Sequence, residues 1–222
     1  SLSREHLDMV AKLGLERFPG TLLAGSAGLA LSASALTSAD SLQTPPRLPF
    51  CRSLLFVCGS ASRALHRQAD KLISQGECAE VSIGPESLTD AYRWKALKKK
   101  AQEAWTKGDL LIRISPSPVS VPGVDTEELL SRLAVLVTGL LQHKGTEGIF
   151  LSGGDTARRV LNETDARAVR IKGQACPGMA WGVAEGGILS GVLTVTKAGA
   201  FGLEEDLVRL YRMLKGARDK HG

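Results

Sequence analysis

Aromatic residues are scarce in this 222-residue chain, at 5% of positions, and no Tyr or Phe repeats beside basic residues. That composition offers no stacking platform for single-stranded nucleic acid. Lys and Arg outnumber Asp and Glu by 28 to 23, but the surplus is dispersed, and only Lys98, Lys99 and Lys100 form a run. Such a run on a helix reads as a solvated face, so nucleic acid is not expected as a partner. The four cysteines, Cys51, Cys58, Cys78 and Cys176, contain no C-x-x-C pair. His6, His66, His143 and His221 have no Cys or carboxylate at ligand spacing, so no protein metal ligands are assigned. Reduced thiols in a cytoplasmic protein are the expectation. No stretch approaches the roughly 20 apolar residues of a membrane span, and no basic region followed by an apolar run opens the chain, so neither membrane nor export is expected. The chain also lacks G-x-x-x-x-G-K-[ST], G-x-G-x-x-G and G-x-S-x-G. These absences remove the P-loop, the dinucleotide fingerprint and the hydrolase elbow, and with them a dehydrogenase-like reading.

What the chain does have is 43% hydrophobic residues and 23% charged ones, the composition of an ordinary globular protein. A chain this long buries roughly 70% of its unfolded surface and needs no disulfide to hold a core. Arg4 to Phe18 carries Leu7, Val10, Leu13 and Leu15 at helical spacing, with Pro19-Gly20 as a stop. A short strand at Leu22-Leu23-Ala24 and a small-residue helix through Ala35 are predicted next. Residues 37–50 contain Pro45, Pro46 and Pro49 and read as a linker.

Beyond it, strand-like and helix-like segments alternate. Strands are expected at Leu54–Cys58, Ala79–Ile83, Leu110–Ile114, Ile149–Leu151 and Val192–Thr196. Helices are expected over Arg63–Ser74, Tyr92–Trp105, a Leu-rich segment from Leu129 to Leu141 started by an Asp125/Glu128 capping box, one opening at Thr156, and Leu203–Leu214. This alternation predicts an α/β layered domain with a largely parallel or mixed central sheet flanked by helices.

Three places run an apolar strand straight into a Gly/Ser turn and a helix: Leu22 to Ser26, Phe56 to Ser60 and Phe150 to Thr156. Such a turn puts unpaired N–H groups and a positive helix-dipole end at the C-terminal edge of a sheet, where anions bind. Each is equally readable as ordinary strand-to-helix punctuation, Gly153-Gly154-Asp155-Thr156 being the most specific. Ser60, Ser62 and Thr156 add hydroxyls. A fourth element, Thr196 to Gly202, ends a strand in Lys197 before a glycine-rich turn. Lys197 reads either as a point charge for phosphate or as an exposed lysine at a strand end.

Taken in order, Cys58-Gly59-Ser60-Ala61-Ser62, Leu151-Ser152-Gly153-Gly154-Asp155-Thr156-Ala157, Pro177-Gly178 and Thr196-Lys197-Ala198-Gly199-Ala200-Phe201-Gly202 resemble the four-carbon acid sugar kinases over nearly the whole chain. The resemblance implies the ATP-binding, carboxy-terminal half of an enzyme that phosphorylates threonate, erythronate or 3-oxo relatives with ATP and Mg2+. It implies nucleotide contacts at Ser60, Ser62, Gly153, Gly154, Asp155, Thr156 and Gly199. Lys197 is added on its charge, and Asp155 is placed to position the cation directly or through water. No catalytic base is assigned.

Residues 1–36 resemble the end of a preceding sugar-binding domain, with 37–50 as linker and 51–222 as the nucleotide-binding domain. The acid sugar would bind through the amino-terminal domain, whose acidic motif has no counterpart in this sequence. An apolar face on residues 1–36 favours self-association. Leu65 stands where the family usually has Thr, while Gln68 is present. That departure motivates the alternative of a non-catalytic nucleotide-binding or regulatory module.

Overall fold

The computed structural model describes residues 3–18, 20, 22–37, 47–60, 62–87, 90–115 and 126–216. The chain divides into two compact units, Ser1–Pro45 and Pro46–Gly222. The first holds helices α1 (Arg4–Arg17) and α2 (Ala27–Thr37). Ser3 caps α1 in a capping box completed by the His6 ring. Within this unit Leu7 packs on Gly28 and Leu23 on Gly14. The strand expected at Leu22 to Ala24 does not form: the segment is irregular and Leu22 is 90% exposed. Three apolar residues with no ladder partner cannot satisfy a strand's backbone. Most of the expected linker, residues 38–46, and Asp125 of the expected capping box lie outside the described residues.

The second unit runs β1 (Leu54–Cys58), α3 (Arg63–Ser74), β2 (Ala79–Ile83), α4 (Ala91–Lys107), β3 (Leu110–Ile114), α5 (Thr126–His143), β4 (Gly148–Ser152), α6 (Gly154–Glu163), β5 (Ala168–Cys176), β6 (Met179–Glu185), β7 (Leu193–Lys197) and α7 (Asp206–Leu214). Its seven-stranded sheet has the order β2-β3-β1-β4-β7-β6-β5. The first five in that order are mutually parallel, and β6 and β5 are antiparallel additions.

The layered α/β architecture with a mixed sheet is thus the one expected. The β5–β6 hairpin, closed by Pro177-Gly178, was not read from the sequence. Its charged, alternating Ala168–Cys176 half is mostly exposed, and only the last residue of β5 is buried. Helix α7 starts at Asp206 rather than Leu203, because Leu203 belongs to the preceding turn.

Strand β1 is fully buried, and the sheet's two faces carry separate cores. Leu55, Val57, Ile112 and Leu151 pack beneath α4, α5 and α6. Phe56, Leu111, Phe150 and Val195 pack beneath α3 and α7. Burial on both faces is why β1, β3 and β4 read as continuous apolar runs.

At the N-terminal edge of the sheet, buried Asp109 ties three elements together. Its Oδ1 accepts from Leu54 N–H at 2.8 Å. Its Oδ2 accepts from the Tyr211 hydroxyl at 2.9 Å and pairs with Lys215 Nζ at 2.7 Å. Burial, and after it the Asp109 carboxylate, push the Tyr211 phenol's pKa up, so it remains a donor. Asp109→Ala leaves Leu54 N–H without its acceptor and takes the charge partner from Lys215, while Tyr211 and Lys215 keep the carbonyls of Glu77 and Arg52, and a drop of about 1–3 kcal/mol in unfolding free energy is expected. A urea-denaturation midpoint unchanged from wild type would contradict this role for the edge.

Candidate functional site

The C-terminal ends of β1, β4 and β7 lie side by side at the centre of the sheet, where β3 and β4 flank β1 on opposite sides. A crossover that reverses direction at such a point opens a crevice outside the strand ends. The last residues of these three strands, Cys58, Ser152 and Lys197, form one row of Cα partners with Ser82, Arg113 and Met179 of the neighbouring strands. Partners in register share one face of the sheet, and Cys58 and Met179 place this row on the α3/α7 side.

The turns that follow pack by glycine-to-hydroxyl contact. A Cβ on Gly59 would overlap the Thr156 side chain, and one on Gly199 would overlap Ser60. Gly153 has φ +102° and would meet Thr156 Oγ1 at 3.0 Å. It is the N-cap of α6, in a conformation that L side chains rarely adopt. Gly154 is different, for nothing lies within 4 Å of its missing Cβ. Thus Gly59 and Gly199 permit the turns to touch each other, whereas Gly154 leaves open space.

Ser60, Ser62, Gly153, Thr156 and Gly199 are therefore brought together. Ser60 Oγ accepts from Ser62 N–H at 3.3 Å. Ser62 is the N-cap of α3 and its side chain makes no capping bond. Asp155 points outward at the first turn of α6, its carboxylate 3.9 Å from the Arg158 guanidinium. The N–H groups of Gly154, Asp155 and Thr156 open α6 with no acceptor among the described residues, as the first turn of any helix dictates. Gly199 and Ala200 N–H likewise have none there.

These turns border a cleft of about 490 Å3, whose lining includes Gly153, Gly154, Gly178, Met179, Lys197 and Ala198. The hairpin residues Gly178 and Met179 form its far wall. The sequence signalled this only through Pro177-Gly178, because the hairpin itself was not legible.

Lys197 is not an exposed strand-end lysine. It is 3% exposed, and its ammonium donates to the carbonyls of Ala198 at 3.1 Å and Gly199 at 3.2 Å. Burial lowers its pKa, opposed by the nearby Cys58 and Asp206 groups. Burial pushes the Cys58 thiol up to about 12 in spite of Lys197 and Arg113, so it stays protonated and is no nucleophile. The carbonyl of Lys197 also accepts from Gly153 N–H at 3.0 Å, joining the β7 turn to the β4 turn.

Two residues that the sequence did not assign to the site fix the far end of the β7 turn. Gln68 Nε2 donates to the carbonyls of Phe201 at 3.3 Å and Leu203 at 2.8 Å, and Asp206 Oδ2 accepts from Leu203 N–H at 2.7 Å. The signal for Gln68 was its place in the family pattern after the β1 turn, where it is kept while Leu65 departs. Leu65, one turn earlier, is buried in the α3 core at 1% exposure.

Backbone donors at the start of a helix are of the kind that suits an anion. A family model described as a nucleotide-binding C-terminal domain matches residues 55–207. The chain belongs to that family.

A D-threonate kinase of Salmonella typhimurium is 25% identical over 93% of this chain and 51% of its own length. A D-threonate kinase of Cupriavidus necator is 30% identical over 87% of this chain and 48% of its own. A 3-oxo-tetronate kinase of the same organism is 33% identical over 55% of this chain. This nucleotide-binding domain is accordingly a member of the four-carbon acid sugar kinase family that its motifs resemble, and it spans about half the length of the two D-threonate kinases.

Two solved structures share the fold. A Salmonella typhimurium protein described as a putative tRNA synthase has TM-score 0.72 at 16% identity, covering 96% of this chain and 51% of that one. A domain of unknown function from Bordetella bronchiseptica, described as a domain-swapped dimer with bound citrate, has TM-score 0.68 at 22% identity, covering 99% and 53%. Among the described residues, no helix is long and apolar enough to cross a membrane.

The contrast between glycines is testable without ligand. Gly59→Ala must displace Thr156 and is expected to lower stability by about 1–3 kcal/mol. Gly154→Ala enters open space at the start of a helix and should leave the melting temperature within error or raise it. Equal losses for the two variants would refute the assignment of Gly59 to packing and Gly154 to the open cleft.

Proposed function

We propose that this chain is the ATP-binding half of a kinase that phosphorylates a four-carbon acid sugar of the threonate, erythronate or 3-oxo-tetronate type. One observation carries the reading most: at the sheet's C-terminal edge, backbone N–H groups with no acceptor among the described residues open α6 at a cleft lined by Gly153, Gly154, Lys197 and Ala198, and the amides of Gly199 and Ala200 follow next in the β7 turn. Such donors suit the phosphates of a nucleotide, helped by the α6 dipole. The names of the D-threonate and 3-oxo-tetronate kinases support the reaction class.

Gly153, Gly154 and Thr156 would line the phosphate path, while Ser60 and Ser62 would supply hydroxyls from the β1 turn. Magnesium is compatible with this site. The ion keeps several waters and takes one or two carboxylates besides phosphate oxygens, and Asp155 is an exposed carboxylate beside the free amides. Among the described residues no cluster of three or more His, Cys, Asp or Glu could hold a metal by itself, so the ion would arrive with the nucleotide and neutralise phosphate charge.

Phosphoryl transfer rests largely on positioning and charge stabilisation. In the proposed division this half orients the nucleotide. The acid sugar and the base that accepts its proton belong to the part of the relatives that the chain does not span.

The test is a thermal-shift titration with ATP and ADP, with and without magnesium, against a nicotinamide dinucleotide. At 100 times the dissociation constant, ATP should stabilise the fold by about 2.7 kcal/mol. The dinucleotide should give no shift. Gly154→Val fills the open space in the cleft and should abolish the ATP shift while leaving the unliganded melting temperature in place. An undiminished shift in Gly154→Val would move the nucleotide elsewhere. No shift in wild type at millimolar ATP would favour the regulatory-module reading motivated by Leu65.

A further inference from the structure

Lysines beside phosphate sites are usually read as direct charge partners. The Lys197 ammonium is already engaged, with two successive carbonyls, Ala198 and Gly199, as its acceptors. A trans peptide is planar, with its N–H opposite its C=O, and the described chain contains no cis peptide. The carbonyl of Ala198 therefore fixes the direction of Gly199 N–H, and the carbonyl of Gly199 fixes that of Ala200 N–H. With both oxygens drawn inward to the buried ammonium, both N–H groups point outward. Ala198 and Ala200 are exposed, Ala198 borders the cleft, and neither amide has an acceptor among the described residues.

We propose that Lys197 is a positioning residue: it holds two consecutive peptide units of the β7 turn with their N–H groups facing the cleft, and itself makes no contact with the nucleotide. The proposal rests on the nucleotide reading only for the identity of the anion. It explains why a lysine that borders the cleft has its ammonium turned to the carbonyls of its own turn. It also accounts for the anchoring of the turn's far end by Gln68 and Asp206, since two aligned peptides keep their direction only if both ends of the turn are held. Through its own carbonyl, Lys197 simultaneously fixes Gly153 beside α6. Successive N–H groups aligned in this way form a concavity for an anion.

Lys197→Met keeps the length of the side chain and removes its donors. The variant is first checked for folding by its unliganded melt. Expected results are a fall in ATP affinity of about tenfold or more and displaced Gly199 and Ala200 amide resonances before any nucleotide is added. The dependence of the remaining ATP affinity on salt should match wild type. An ion pair with phosphate would be screened by salt, so a flattened salt dependence with unmoved loop amides would overturn the proposal in favour of direct contact. Unchanged ATP affinity would overturn it as well.

Should Lys197→Met not fold, wild type decides, because the Lys197 ammonium nitrogen resonance should stay in place on ATP addition if the residue only positions the turn, and move if it touches phosphate. If wild type binds no ATP, the functional reading falls. The amide displacement in unliganded Lys197→Met then still tests the positioning role on its own.

Discussion

Burying the Lys197 ammonium is the constraint around which the C-terminal edge of the sheet is organised. Removing an ammonium from water costs several kcal/mol unless its protons find acceptors, and the acceptors used are backbone carbonyls of the turn that follows. That choice determines the turn. It must double back over its own lysine, which brings Gly199 against Ser60 so closely that no side chain fits, and it must be held down beyond Phe201, where Gln68 and Asp206 act. The β1, β4 and β7 turns are thus one assembly: Gly59 receives Thr156, Gly199 receives Ser60, and Lys197 holds Gly153 through its carbonyl.

The two edges of the sheet show opposite treatments of polar groups. At the N-terminal edge the buried carboxylate of Asp109 meets a backbone amide, a phenol and an ammonium. A network with its donors and acceptors matched in this way stabilises and offers nothing to a ligand. At the C-terminal edge the cations and carbonyls are satisfied beneath the turns, but the amides above them are not. Ser152 Oγ and Gln68 Oε1 are also buried there with no partner among the described residues. The turn amides, unlike those two buried atoms, are tolerated at the mouth of a cleft where water reaches them, and they become an asset when an anion replaces that water.

The parallel core was legible because its strands are buried on both faces and must therefore be apolar throughout, as Leu54–Cys58 is. The β5–β6 hairpin was not, because an edge ribbon with Arg170 and Lys172 exposed resembles a polar loop. At the site, the glycine turns announced themselves, but their division of labour did not. Gly59, Gly154 and Gly199 look alike in a sequence, and only packing shows that two of them make room for neighbouring hydroxyls while one leaves space open. Lys197 was legible as a charge and misleading as to place, since a lone lysine after a strand is ordinarily in water. Its burial depends on acceptors supplied by its own turn and on Gln68 and Asp206, far away in sequence, which no local pattern reveals.

A cradle of main-chain donors reads charge and shape, and it has no means of distinguishing one four-carbon acid from another. On the proposed division of labour, this separates two kinds of resemblance. The matches to D-threonate kinases and to a 3-oxo-tetronate kinase fall within the same range of identity, 25 to 33%, as expected if the shared half handles the common phosphoryl donor. The choice of acid requires side-chain hydrogen bonds to hydroxyls and a carboxylate, and a site built to make them rejects the analogue that lacks one. On that proposal, those groups would belong to the half of the relatives that this chain does not span. What this half must preserve is geometry: amides held in line at two turns, with Lys197 linking them.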